Sequence, residues 1–400
     1  MIVGKEFLLW VAMSRTIYLD NNATTQVDPG AFDAMLPWLK DEYGNPSSSY
    51  ALGRRAAQAI EDARAQIAAL IGSQEDEILF TSCGTESINT AILSCLAIDP
   101  DKKHIITSAV EHSATVKVCE HLDKRGYEIT WLPVDSHGLL DPKSVEAAIR
   151  EDTAVVSLLW ANNETGVLFP VEEIAAITTS KKVPLHVDAV QAAGKISMNL
   201  TNLGAQFVSF SGHKIHSAKG VGALAVSRRL RFTPLLRGSQ EETRRGGTQN
   251  VAGIVGFGKA AEIAHQHTDH SFIKSLRDRF EDHLLQTVPG TEVNGDRENR
   301  LPNTSNITFE GLESEGALIL LGEKGICCSA GSACTSGSVH PSHVLRAMGF
   351  SNDRARASLR FSFGRLNTEQ DLQEAREIVP DVIKKLRSLK TQGSPVAVAA

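Results

Sequence analysis

An α/β fold with a mostly parallel central sheet, joined to a smaller α+β unit, is what this sequence predicts, on three observations. Between residues 52 and 230, short apolar runs alternate with stretches of helical periodicity, the pattern of parallel strands joined by crossover helices. Beyond about residue 270 the order changes to helix, short strands, a Gly/Ser-rich loop, strand and helix. At 400 residues the chain is longer than one compact core usually spans, so two domains are expected.

Met1 to Val11 reads as a short extension. Its apolar patch, Phe7 to Met13, is far too short to span a bilayer, and Met13 is a candidate start. Residues 54–71 carry Ile60, Ala63, Ile67, Leu70 and Ile71 at helical spacing, with Gly72 as the stop signal. Ile88, Ala91, Ile92, Cys95 and Leu96 repeat that stripe in a helix over 86–97. Seven apolar runs lie around these helices, at 78–82, 104–110, 127–134, 154–160, 185–190, 207–211 and 220–226, and each reads as a buried strand. The polar stretch AHQHTDHSF (264–272) marks a change of domain, and its histidines lack companions at ligand spacing, so they read as a solvated helix end. ASLRFSFGR (357–365) alternates, with Leu359, Phe361 and Phe363 on one face and Ser358, Arg360 and Ser362 on the other. The expected division is a large domain at 28–270, a small one from 14–27 and 271–390, and flexible ends at 1–13 and 391–400.

A net charge of -6 offers no basic field for nucleic acid or an anionic membrane, which leaves small metabolites or a protein as the expected partners. Cys83, Cys95, Cys119, Cys327, Cys328 and Cys334 form neither paired CxxC clusters nor a zinc spacing. Sparse, unpaired thiols point to a reducing cytoplasm. Cys95 and Cys119 lie in helical stretches and Cys327 and Cys328 end the strand-like GICC, so these four read as packing.

Open α/β sheets bind ligands at the carboxyl ends of their strands, so the residues after each run are informative. Cys83-Gly84-Thr85-Glu86 puts a tight turn and a hydroxyl beside a helix N-terminus, either an anion cradle or a plain cap. Glu111-His112 follows the next run, and the histidine suits stacking on a flat ring, moving protons, or a surface loop. Asp188 stands inside an apolar run, where a carboxylate needs a cation, a pyridinium nitrogen or a neighbouring Lys or Arg. SGHKIHSAKGVG (211–222) surrounds Lys214 with Ser211, Gly212, His213 and His216, small or cationic neighbours that make room for a cofactor and lower a lysine's pKa. Cradle, histidine, aspartate and lysine at successive strand ends describe one cofactor.

Two further features stand apart. Cys334 lies in a run of small residues, CSAGSACTSGS (328–338), suited to a nucleophile that visits one partner and then another. Arg360, on the face away from the apolar one, can grip a carboxylate with its fork, whereas Arg354, Arg356 and Arg365 read as surface charge.

YLDNNATT (18–25), GNPSS (44–48), FTSCGTES (80–87), VEH (110–112), ANNETG (161–166), HVDAVQAAGK (186–195), SGHKIH (211–216), RRGGTQN (244–250), GSACTSGS (331–338), PSHVLRAMG (341–349) and RFSFGR (360–365) together resemble the cysteine desulfurases of the class V aminotransferase superfamily, nitrogenase-associated type. The likeness runs from about Thr16 to Leu386. It implies a pyridoxal 5'-phosphate (PLP) fold type I, with a seven-stranded, mostly parallel sheet in the large domain and a smaller α+β domain. It implies an enzyme that converts L-cysteine to L-alanine and passes the sulfur, as a Cys334 persulfide, to an iron–sulfur scaffold protein for nitrogenase clusters. The same resemblance assigns Lys214 to the covalent link with the cofactor, Asp188 to its ring nitrogen, His112 to stacking and proton transfer, Gln191 to the ring oxygen, and Asn163 to a place beside ring and substrate. Gly84, Thr85, Ser211, Gly212 and His213 would hold the phosphate, with Thr248 reaching across from the second subunit of a homodimer. Arg360 and Asn45 would bind the substrate carboxylate. Cys334 would attack the sulfur and share a transient [2Fe-2S] cluster with the scaffold. Two departures stand out: Cys327 and Cys328 precede the loop, leaving open a disulfide with Cys334, and the first dozen residues have no counterpart. A general iron–sulfur desulfurase, a selenocysteine lyase, an aminotransferase and a non-catalytic sulfur carrier remain the alternatives.

Overall fold

The computed structural model describes residues 15–228, 230, 232–331 and 341–392. Its strands are β1 (Ile17–Tyr18), β2 (Ile78–Thr81), β3 (His104–Ser108), β4 (Glu128–Leu132), β5 (Thr153–Leu159), β6 (Leu185–Asp188), β7 (Phe207–Ser211), β8 (Gly222–Val226), β9 (Thr291–Asn294), β10 (Thr304–Phe309), β11 (Ile326–Cys327) and β12 (Ser358–Ser362). All seven runs expected as buried strands enter one sheet, in the order β2-β8-β7-β6-β5-β3-β4. The pairs from β7 through β6, β5 and β3 to β4 are parallel, while β8 runs antiparallel to both β7 and β2. Each strand is shorter than or close to its apolar run. Residues Ala109 and Val110 leave the sheet after β3, which carries the chain round to Glu111 and His112.

The central strand β5 is buried at every position, as expected of a strand covered by helices on both faces. One core packs Ile60, Ile67, Val156, Val187 and Phe210 beneath the helices Ala51–Ile71 and Val251–Gln266, and another packs Ile88, Ile92, Ile105 and Val118 on the opposite face. Helix Ala51–Ile71 ends where sequence puts its stop, at Gly72 with φ +63°, and a Cβ there would lie 2.9 Å from the Asn199 Cα.

A separate core forms where β12, β10 and β9 make an antiparallel sheet, covered by helices Ser271–Thr287 and Glu369–Gln392. Phe280 meets Phe361 edge-on at 4.9 Å and Phe363 at 5.7 Å. Leu359, Phe361 and Phe363 do share the apolar face that their alternation predicts. The last helix continues through Thr391 and Gln392, so two of the residues expected in the loose tail remain helical; the other expected flexible residues, at the start and the end, lie outside the described ones. Among the described residues no helix is long and apolar enough to cross a membrane.

Candidate active site

The carboxyl ends of β5, β6 and β7 and the loops after β2 and β3 converge on one polar cluster. Register places Asp188 beside Leu159 of β5 and Ser209 of β7. Lys214 follows β7 by one short turn, Gly212–Lys214, and its Nζ donates to the backbone oxygens of Asn22, at 2.5 Å, and Ala23, at 2.8 Å. Asp188 is 6% exposed and accepts from the Val190 N–H at 3.0 Å. Burial pushes its carboxyl up to about 6, with the Val190 hydrogen bond and the Lys214 charge pulling the other way. Of the two cations the sequence allows for Asp188, a ring nitrogen or a neighbouring Lys or Arg, no ion pair with Lys or Arg occurs among the described residues, and the charge acting on it is that of Lys214.

His112 caps helix Ser113–Asp123: its Nδ1 accepts from the Ala114 N–H at 3.2 Å. A neutral ring in that arrangement carries its proton on Nε2. Burial, then the charges of Lys214 and His343, hold its pKa down to about 4. Beneath it, Glu111 is fully buried, accepts from Ser108 Oγ at 2.6 Å and the Leu159 N–H at 3.1 Å, and is raised by burial to about 8.

At β2, the loop turns through Cys83 into helix Gly84–Ile98. A Cβ on Gly84 would lie 2.8 Å from Val190 Cγ2, so only glycine lets the helix N-terminus sit this close to the strand end after β6. Thr85 is exposed there, and Ser211, 4% exposed, has an Oγ without a hydrogen-bond partner among the described residues. His213 Nδ1 meets Thr24 Oγ1 at 3.0 Å, and burial, then Lys214, lowers its pKa to about 4. The helix start is tied down from outside by Glu86, which receives Arg245 at 2.9 and 3.1 Å. Thr248, three residues past Arg245, is exposed.

Gln191 donates to the Asn22 oxygen at 2.9 Å and accepts from Lys195 Nζ at 2.8 Å. Lys195 also reaches Asn22 Oδ1 at 3.2 Å, and burial, then the charges of Lys214 and Arg360, holds its pKa well below that of an ordinary lysine. Arg360 is 1% exposed; its guanidinium donates to the Asn163 oxygen at 2.9 Å and to Asp20 Oδ1 at 2.7 Å. Asn45 is exposed, with Oδ1 turned to the Ser47 N–H at 2.9 Å. Cys334 lies outside the described residues. The residues that bracket its loop do reach this cluster: Ser329 Oγ donates to Asp20 Oδ1 at 2.8 Å, Ser342 Oγ to Glu164 Oε2 at 2.5 Å, and His343 Nε2 to the Glu111 oxygen at 2.9 Å.

Arg365, read as surface charge, pairs with Asp28 at the start of helix Pro29–Lys40. Arg354 likewise pairs with Glu292, at 2.6 Å, and stacks on Phe350. Sequence reasoning gave no role to Asn22, Lys195, Asp20 or Glu164, although Asp20, Asn22 and Glu164 lie in the polar stretches DNNATT and NNET. A larger cleft of about 590 Å³ opens at the other end of the sheet, by Pro184, Gln206 and Val226. It lies away from the carboxyl ends of the parallel strands, where open sheets bind ligands.

Residues 17–374 match the family described as aminotransferase class-V. The chain is 51% identical over 376 residues to a cysteine desulfurase of Nostoc sp., covering 93% of this chain and 94% of that one. It is 48% identical over 377 residues to the cysteine desulfurase NifS of Azotobacter vinelandii, with coverages of 93% and 94%. A solved NifS-like protein superposes with a TM-score of 0.85 at 34% identity, over 94% of this chain and all 100% of that one. With that much of both chains aligned, over a sheet of this order and a cluster at these strand ends, the chain belongs to the class-V aminotransferase family and, within it, to the cysteine desulfurases.

Proposed function

We propose that this protein takes sulfur from L-cysteine in a pocket built around Lys214 and receives it on Cys334, releasing L-alanine. The observation that carries the reading is the convergence of Lys214, Asp188, His112 and the unpartnered Ser211 Oγ at the carboxyl ends of one parallel sheet. Pyridoxal phosphate, the cofactor of this family, fits these residues. The helix start at Gly84, close enough to the strand end to exclude a Cβ, and the free Ser211 hydroxyl suit its phosphate, with Thr85, Gly212 and His213 alongside. The buried Asp188 suits its ring nitrogen, His112 its ring face, and Gln191 and Asn163 its edge. When bound, the cofactor supplies an electron sink for the carbanion formed at the substrate α carbon.

The chain's own residues do the rest. Lys214 Nζ, held by the carbonyls of Asn22 and Ala23, links the cofactor and removes the α proton. Asp188 supplies a fixed negative charge opposite the ring nitrogen. His112, whose ring burial keeps neutral, is the proton shuttle for the incoming thiol. Arg360, helped by Asn45, grips the substrate carboxylate. The Cys334 thiolate then attacks that sulfur: the new S–S bond forms as the C–S bond breaks, its electron pair stays on carbon, and protonation gives L-alanine and a Cys334 persulfide. An iron–sulfur scaffold protein takes the sulfur in the cytoplasm, with a transient [2Fe-2S] cluster shared through Cys334, and nitrogenase is the expected destination. The active unit is a homodimer, with Thr248 completing the partner's phosphate site.

The test is mass spectrometry of the Cys334 peptide after incubation with L-cysteine, which is expected to gain one sulfur atom. No gain, or a Cys334→Ala variant that still turns over an amino acid and keto acid pair, would remove Cys334 from the chemistry and favour an aminotransferase.

A further inference from the structure

The arginine assigned to the substrate is already occupied. Arg360 is fully buried, and one of its terminal nitrogens makes a 2.7 Å ion pair with Asp20 Oδ1. The other terminal nitrogen donates to the Asn163 carbonyl, and Nε has no partner among the described residues. The same Asp20 oxygen accepts a 2.8 Å hydrogen bond from Ser329 Oγ. Backbone pairing fixes this triangle: Asp20 bridges Ser362, and Ser329 bridges Arg360 in both directions, with N–H to O distances of 3.1 and 2.6 Å. A second carboxylate arriving at Arg360 therefore meets a neutralised cation and a like charge beside it.

We propose that Asp20 is a positioning residue that competes with the substrate carboxylate for Arg360, and that Ser329 sets the strength of that competition by sharing the Asp20 oxygen. This rests on the reading that Arg360 binds the substrate carboxylate. Asp20 holds the guanidinium in its fork geometry between turnovers, so that the arginine is not left as an unpaired buried charge. It also keeps affinity for small carboxylates low, so that L-alanine, which carries the same carboxylate as L-cysteine, leaves after each cycle.

The experiment measures inhibition of the holoenzyme by L-alanine and by L-alaninamide, which lacks the carboxylate. Asp20→Asn keeps an oxygen for both donors and removes the charge. Its inhibition constant for L-alanine is expected to fall about tenfold, the worth of one modest charge interaction, with KM for L-cysteine falling alongside and the constant for L-alaninamide unmoved. Ser329→Ala leaves Asp20 with Arg360 alone and is expected to raise the L-alanine constant about threefold, a fraction of one hydrogen bond. These opposite signs separate competition from a loss of packing, and the second variant carries the test if the first does not fold. Arg360→Gln is the reference. If it abolishes L-alanine binding while Asp20→Asn and Ser329→Ala change nothing, or while Asp20→Asn weakens binding, the competition is refuted and the Arg360 reading stands. If Arg360→Gln leaves L-alanine binding intact, the Arg360 reading itself fails and the competition falls with it.

Discussion

Buried polar side chains stand at both ends of the large sheet, and they are held in opposite ways. At the amino ends, His104 and His186 are both 0% exposed, and each has both ring nitrogens occupied. His104 lies between Thr153 and Thr130 at 2.9 and 2.7 Å; His186 lies between Ser157 and Ser209, both at 2.8 Å. At the carboxyl ends, Ser211 Oγ, Glu111 Oε2, Glu164 Oε1 and Arg360 Nε are buried with no partner among the described residues. Polar groups that complete one another inside a sheet specify its register and nothing more. Groups left with unused hydrogen-bonding capacity in a well-packed interior cost stability, and a site that must hold something else is the place to find them. Such groups also occur elsewhere, at Thr115, Thr291 and Arg376 among others, so the surplus agrees with the pocket that the strand ends mark without locating it alone.

The largest expected effect falls on the surplus side. Asp188→Asn keeps the size and the acceptor for the Val190 N–H but removes the charge facing Lys214. Turnover of L-cysteine is expected to fall about 100- to 1,000-fold, the usual loss when a preorganised charge is removed from an active site. The fold should be unaffected, because the carboxylate burial that raises this acid costs stability rather than adding it. Steady-state kinetics and thermal melting of the same sample check both halves; an active Asp188→Asn enzyme would place the ring nitrogen elsewhere.

The satisfied side predicts the reverse. His186→Ala opens a cavity and strands the Ser157 and Ser209 hydroxyls in a core from which water is excluded. It is expected to cost about 3 kcal/mol of stability, combining cavity and orphaned hydroxyls, with kcat per folded molecule unchanged. Denaturant unfolding and kinetics on the refolded variant separate the two. A fall in kcat without a fall in stability would break the contrast between the two ends.

Much of this was legible beforehand, for definable reasons. Six of the seven strands announce themselves because strands buried on both faces need unbroken apolar runs, and β5 is such a run, whereas β4, expected to be buried, is an edge strand with Glu128 and Trp131 exposed. His112 and Lys214 stand out because they follow closely on such runs, and Asp188 because a carboxylate inside one breaks the pattern. Asn22 did not stand out. It acts through its backbone oxygen, which no side-chain chemistry advertises, and through partners as distant in sequence as Lys214, Asn303 and Thr304. The partner of Arg365 was hidden for the same reason, since Asp28 lies 337 residues away. Local pattern reveals which residues are unusual, and only the packed chain reveals which of them meet.

The smallest effect is also the one that isolates a single group. His186 stays neutral in the folded protein down to about pH 3, because burial opposes its charging, whereas an unfolded histidine titrates near 6.5. Between those values the unfolded chain binds the extra proton, so this residue's contribution to stability is complete above about 6.5 and is lost as pH falls towards 3. Several other buried groups also titrate, and some oppose it: Glu111 and Asp188 are raised, so the folded state holds their protons longer. Comparing wild type with His186→Ala at each pH cancels those shared groups as long as the substitution leaves their surroundings alone. The stability gap between the two proteins is therefore expected to narrow steadily below pH 6.5, by no more than about 1.4 kcal/mol per pH unit for one proton. Unfolding free energies from pH 7 to pH 4.5 measure it. A gap that stays constant would mean that His186 takes up its proton in the folded sheet as readily as in the unfolded chain. The hydroxyls of Ser157 and Ser209 would then be serving as acceptors for an imidazolium, and the amino end of the sheet would hold a buried charge of its own.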